Sequence, residues 1–272
     1  MNIDATFPGL VNTRKGYVFK GNIEAPSLRV FVGPLLLDGS LLVEGDVSAQ
    51  FGIETTGEIY SEGKIEAGHL KSLKITAREI ESYRGLHSKS DIVCEKVSAE
   101  SIVVGGTFLA KRISSKNHLC ASFLKCGGDV DALSIDIEKD ADIQGIIRTF
   151  WGFTAGSCVT AGGFFSESIH IGGDLHVSGD LLVLNEIRVR GKLEARYIFG
   201  GNSLSVGASL NVKEIHGLSK ELIRIGEEKE LKIQYPEEHL AEGSGRSKEK
   251  NRLSLLGKLF SWPKGDEFNW EY

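Results

Sequence analysis

The chain has 272 residues, 41% of them hydrophobic, with 33 glycines, five prolines and a single methionine. That is enough apolar material for a sizeable core, and the composition disfavours a helical repeat, since glycine-rich punctuation suits many short turns. A formal charge of -5 and a pI near 5.9 argue against a nucleic-acid binder of the usual basic kind, and no window approaches a membrane-spanning apolar run.

Taken in chain order, residues 1–38 lack a basic segment followed by an apolar stretch, so no secretion signal is expected and the protein is assigned to the cytoplasm. They are expected to form an N-terminal cap and a first coil. From Leu41 the pattern becomes periodic. Apolar residues fall at Leu41, Val47, Ile53, Ile59, Ile65, Leu70, Ile75, Ile80, Leu86, Ile92, Val97, Ile102, Phe108, Ile113, Leu119, Leu124, Val130 and Ile135. The pattern weakens at Ala141 and resumes at Ile147, continuing through Phe153, Val159, Phe164, Ile169, Leu175, Leu181, Ile187, Leu193, Ile198, Leu204 and Leu210 to Ile215.

The step is about 5.6 residues, longer than the 3.6 of a helix or the 2 of a half-buried strand. Sustained over residues 39–216, it predicts an all-β fold: a single-stranded parallel β-helix of about ten three-sided coils. Each unit reads as a three-residue strand with two side chains inward and one outward. A corner glycine follows, expected to supply a positive φ for the bend. Internal similarity supports the repeat, because Gly45, Asp46, Ile59, Gly63, Lys64, Glu66 and Ala67 recur 128 residues later as Gly173, Asp174, Ile187, Gly191, Lys192, Glu194 and Ala195.

Two acidic stretches stand out as candidate partner-binding surfaces. One contains Glu54, Glu58 and Glu62, and the other Asp129, Asp131 and Asp136. Carboxylates at the six-residue spacing are expected to stack into columns along one side, giving a focused negative potential that steers a cationic protein. Between residues 145 and 165 aromatic residues gather among glycines. If Phe153, Val159 and Phe164 point inward, Phe150, Trp151 and Phe165 need not, and Phe150 and Trp151 become candidate contact residues.

Four cysteines lack a CxxC pair, and Cys120 and Cys126, one step apart, are expected at equivalent positions on neighbouring strands. His170 and His176 are likewise one step apart, but nothing completes a metal site at usual spacing. No nucleophile motif or phosphate-binding loop occurs, so neither a cofactor, a metal nor an enzymatic activity is expected. Residues 217–272 break the cadence with charge runs. Leu253, Leu256, Leu259 and Phe260 then recur at helical spacing, which predicts a capping tail with a short amphipathic helix. Membrane contact through that segment is not expected.

The Leu-x-Val-x-Gly-Asp rhythm of residues 173–212 resembles the bactofilins, bacterial cytoskeletal proteins, and the resemblance implies a β-helix core and self-association into polymers. Left-handed β-helix acyltransferases also show a hexapeptide period, but their second positions are small. Here those positions hold Leu182, Arg188 and Glu194. The expected function is therefore a non-enzymatic, acidic binder or inhibitor of a basic protein partner, such as an immunity protein that neutralises a nuclease toxin. A bactofilin-like scaffold is the alternative.

Overall fold

The computed structural model describes residues 1–226 and 232–233. Within them the fold is all-β, a β-solenoid of about 12 turns whose only helical element is a 3-10 turn at Lys220–Leu222. Each turn has three sides. The first side begins with strands Ile23–Ala25 and Leu41–Val43, the second with Asn2–Ile3, Leu28–Val30 and Val47–Ala49, and the third with Gly16–Lys20, Leu35–Asp38 and Ile53–Thr55. Pairing between turns is parallel and directly superposed, as in Ile23 against Leu41, Leu28 against Val47 and Leu35 against Ile53. Leu41 lies against Ile59 and Ile59 against Ile75, but Ile65 against Ile80 and Leu28 against Val47, so in the regular turns a residue's stacking neighbour is 15 to 19 positions away.

The apolar cadence forms the core. Every step from Leu41 to Ile215 is at most 3% exposed, and the short strands alternate buried, exposed, buried. The weak step is no break: Ala141 is buried, in a coil whose third side contributes Phe153, and Phe153 meets Phe164 edge to face at 5.0 Å. A methyl group and a ring share that coil.

Regular coiling starts earlier than the apolar cadence suggested, at Ile23, and this is why there are more turns than the expected ten. Upstream, Val11–Thr13 turns back antiparallel on Gly16–Lys20, and Phe7, Leu10, Tyr17 and Phe19 pack against the core. This hairpin covers apolar side chains that an open first coil would expose. At the other end Ile223–Ile225 continues the third side and Lys232–Ile233 the first. The expected amphipathic helix at residues 252–260 lies outside the described residues.

The corner glycines have a different cause from the one expected. Gly45, Gly57, Gly63, Gly179 and Gly191 do not have positive φ. What they lack is room: a Cβ on Gly63 would lie 2.8 Å from the Gly45 carbonyl carbon, and one on Gly191 would lie 2.7 Å from the Gly173 carbonyl oxygen. Stacked corners approach too closely for a side chain.

The residue after the corner glycine then ties the coils together. Asp46 Oδ1 accepts the Lys64 amide at 2.8 Å, Asp174 Oδ1 the Lys192 amide at 2.7 Å, and Asp129 Oδ1 the Ile146 amide at 3.0 Å. At the first corner Asn22 Oδ1 does the same for the Ser40 amide. Amides that the corner turns out of the ladder thus find acceptors one coil away, which buried or half-buried backbone requires.

Candidate functional site

The carboxylates expected to form columns are distributed around the solenoid. Residues four to six apart sit on successive sides or corners of one turn, whereas a column is built from residues 15 to 19 apart. Glu54 faces outward on the third side, with Leu36 in the turn before and Lys71 in the turn after. It is half-buried and engages His69 Nε2 at 3.1 Å and Lys71 Nζ at 4.0 Å. Glu58 sits at the corner before the first side and Glu62 at the corner after it, both exposed. Neither is in an ion pair with any described residue; Glu62 accepts only a long bond from the Tyr60 hydroxyl, 3.5 Å.

Asp129, Asp131 and Asp136 separate in the same way. Asp129 is a corner residue whose Oδ1 accepts the Ile146 amide at 3.0 Å while its Oδ2 meets Arg148 at 3.0 Å. Burial alone would raise this carboxyl, but the Ile146 amide and the Arg148 guanidinium outweigh it and hold the group below the ordinary aspartate range. Asp131, outward on the second side, takes the other arm of Arg148 at 3.0 Å. Asp136 is outward on the third side, beside Cys120. Of the six acidic candidates, Asp129 and Asp131 are brought together, but by a shared arginine that neutralises much of their field.

Phe150 and Trp151 do point outward, 66% and 53% exposed. The cause is local length: five steps lead from Arg148 to Phe153, against four from Asp131 to Ile135 below and four from Phe165 to Ile169 above. The extra residue bulges the corner, and Trp151 swings to 6.4 Å from the His118 ring. Beside this bulge, the outward row of the second side runs Arg148, Phe165, Leu182, Phe199, His216, one residue per turn. Phe199 and His216 stack at 5.0 Å, and Arg196 and Lys213 lie over the Tyr197 ring.

This aromatic row was not recognisable as a unit in the sequence. Its signal was present, since Phe165, Leu182 and Phe199 each follow a cadence residue by one place, but only coil length brings them into one line.

Other expected neighbours part company. Cys120 faces outward on the third side and Cys126 inward on the first. His170 and His176 lie on different sides, each beside a glutamate one turn on, Glu186 at 3.2 Å and Glu194 at 3.0 Å. Among the described residues no three His, Cys, Asp or Glu side chains gather as a metal site, and no helix is long and apolar enough to cross a membrane. In comparison with known proteins, no family model matches the chain, and no match is found among curated proteins or solved structures.

Proposed function

We propose that this chain is a non-enzymatic, protein-binding solenoid: a rigid core that carries independent outward surfaces, with a basic protein as its partner. One observation carries this reading. Residues 24–66 hold eight carboxylates against Arg29 and Lys64, and Glu24, Glu44 and Glu58 are exposed with no ion pair or side-chain hydrogen bond to any described residue. Lys64 is already committed to Glu66 and Glu81. The result is a localised negative field on a scaffold whose stability comes from elsewhere, which suits steering and docking of a cationic surface. An immunity protein that occludes the basic substrate-binding face of a nuclease toxin would use such a surface.

The test is co-purification of a partner with the full chain, followed by charge reversal at Glu54, Glu58 and Glu62. Binding that weakens and loses its salt dependence supports the proposal. A partner held just as tightly by the reversed protein counts against it.

A bactofilin-like filament ranks second. It is favoured by the single unbroken core, and it meets an obstacle in the hairpin that folds back over the first coil. Electron microscopy of the full chain distinguishes the two: filaments that persist at high salt support the scaffold, and a monodisperse monomer supports the binder.

A further inference from the structure

The unpaired carboxylates border an outward row that is not charged. On the first side Leu42, Tyr60, Thr76, Val93 and Leu109 stand one above another, each in register with the next. Leu42, Tyr60 and Leu109 are 46%, 39% and 40% exposed. The row begins above Glu24 and ends below Lys125. At its first two turns Glu44 and Glu62 line one corner and Glu58 the other. One turn further on the corner residues are Lys74 and Arg78, and at the Val93 turn Asp91 holds the Thr107 amide and Glu95 pairs with Lys111, so the rim of unpaired carboxylates is confined to the Leu42 and Tyr60 turns.

Dimensions say what shape this row accepts. Successive turns are about 4.8 Å apart, so five rows span about 19 Å. An α-helix laid along the solenoid axis repeats its surface positions every 5.4 Å, close to that spacing, and covers 19 Å in about 13 residues. Four residues of extended chain place the Glu58 and Glu62 backbones about 13 Å apart, slightly more than a helix with its side chains, about 10–12 Å.

We infer that the first side of the early turns is a docking strip for an amphipathic helix of the basic partner, its apolar stripe on Leu42 and Tyr60 and its flanking lysines or arginines against Glu44, Glu58 and Glu62. The inference rests on the basic-partner reading and adds to it the surface and the element recognised. Apolar contact sets the axis of the helix along the row, and charge sets which end lies over the early turns.

The experiment uses the full chain and three synthetic 14-residue peptides. The first carries a leucine stripe with lysine flanks, the second the same stripe with glutamate flanks, and the third the first peptide's residues in scrambled order. Fluorescence anisotropy is expected to show binding of the first alone. Its affinity should fall about tenfold or more with Leu42→Ser plus Tyr60→Ser, and again with Glu58→Lys plus Glu62→Lys, while Leu184→Ser, at an exposed apolar position of a later turn, leaves it unchanged. Circular dichroism and thermal midpoints confirm that each variant folds.

Equal binding of the scrambled peptide, or indifference to the Leu42 and Tyr60 changes, overturns the helix strip and leaves the basic-partner reading standing. If neither lysine peptide binds, the helix strip falls, and the basic-partner reading is decided by the charge-reversal test on the co-purified partner. Self-association of the full chain that disappears with Leu42→Ser plus Tyr60→Ser would assign the row to a second copy and overturn the helix partner.

Discussion

The early turns, residues 23–72, and the later turns, residues 141–206, share one interior and differ outside it. Both bury the same cadence of aliphatic residues, and both bind turn to turn through corner pairs, Asp46 with the Lys64 amide in one and Asp174 with the Lys192 amide in the other. Outside, the early turns present Leu42 and Tyr60 in line within a carboxylate rim. The later turns present Phe165, Leu182 and Phe199, with Phe150 and Trp151 at the neighbouring corner. Stability and surface are therefore separable here: a solenoid residue that points outward is released from packing, and successive turns can diverge in what they offer a partner.

The sharpest break of that separation is within five residues of chain. Phe153→Ala empties an inward position and should cost about 3–5 kcal/mol in urea unfolding, whereas Phe150→Ala, at the exposed corner, should stay within about 0.5 kcal/mol. Similar losses for the two would contradict the division between interior and surface.

Corners come next. Gly63→Ala in the early turns and Gly191→Ala in the later ones should each lose about 1–3 kcal/mol by forcing stacked corners apart. Gly85, where a Cβ would meet nothing within 4 Å, should accept alanine with no loss or a gain of about 0.4–1 kcal/mol. Thermal unfolding compares all three, and unequal costs at Gly63 and Gly191 would show that the two regions do not share one corner rule.

A smaller effect is expected from the side-chain acceptors. Asp46→Ala and Asp174→Ala orphan an amide and should cost about 1 kcal/mol each, while the asparagine variants, which keep the acceptor as Asn22 does, should be close to neutral.

Acid offers a further comparison. Against the effect of burial, the Asp129 carboxyl is lowered in the folded state by the Ile146 amide and then by Arg148, so these contacts contribute stability that is complete above the unfolded value and is lost as pH falls through the depressed folded one. The advantage of the native protein over Asp129→Asn should hold at neutral pH and shrink below about pH 4, as followed by urea midpoints.

The last effect leaves stability untouched. Cys158 is exposed, whereas burial, with the Cys126 charge adding to it, pushes the Cys94 thiol up to about 12. A thiol reagent should modify Cys158 first and reach Cys94 only on unfolding.

The interior was legible because burial acts residue by residue. A strand that turns inward every five or six places must put an apolar group there, and Leu41, Ile59 and Ile187 announce it without reference to any other part of the chain. The outward surface was less legible. Phe150 and Trp151 could be marked as outward by elimination, since Phe153 and Phe164 fitted the cadence. Glu54, Glu58 and Glu62 invited a column that does not exist, because closeness in sequence was taken for stacking when a four-residue step only leads to the next corner or side. The corner glycines misled in their cause: a glycine required by a neighbouring backbone looks the same in one dimension as one required by its own φ.

By itself, then, the sequence determined that this chain coils as a β-solenoid and which side chains fill it, since each inward position is specified by its own hydrophobicity. Only the tertiary structure decided which outward residues meet. Coil lengths vary between 15 and 19 residues in the regular turns, so the register that sets Leu42 beneath Tyr60, Asp131 beneath Arg148 and Phe165 beneath Leu182 is fixed by how each corner closes against the one below.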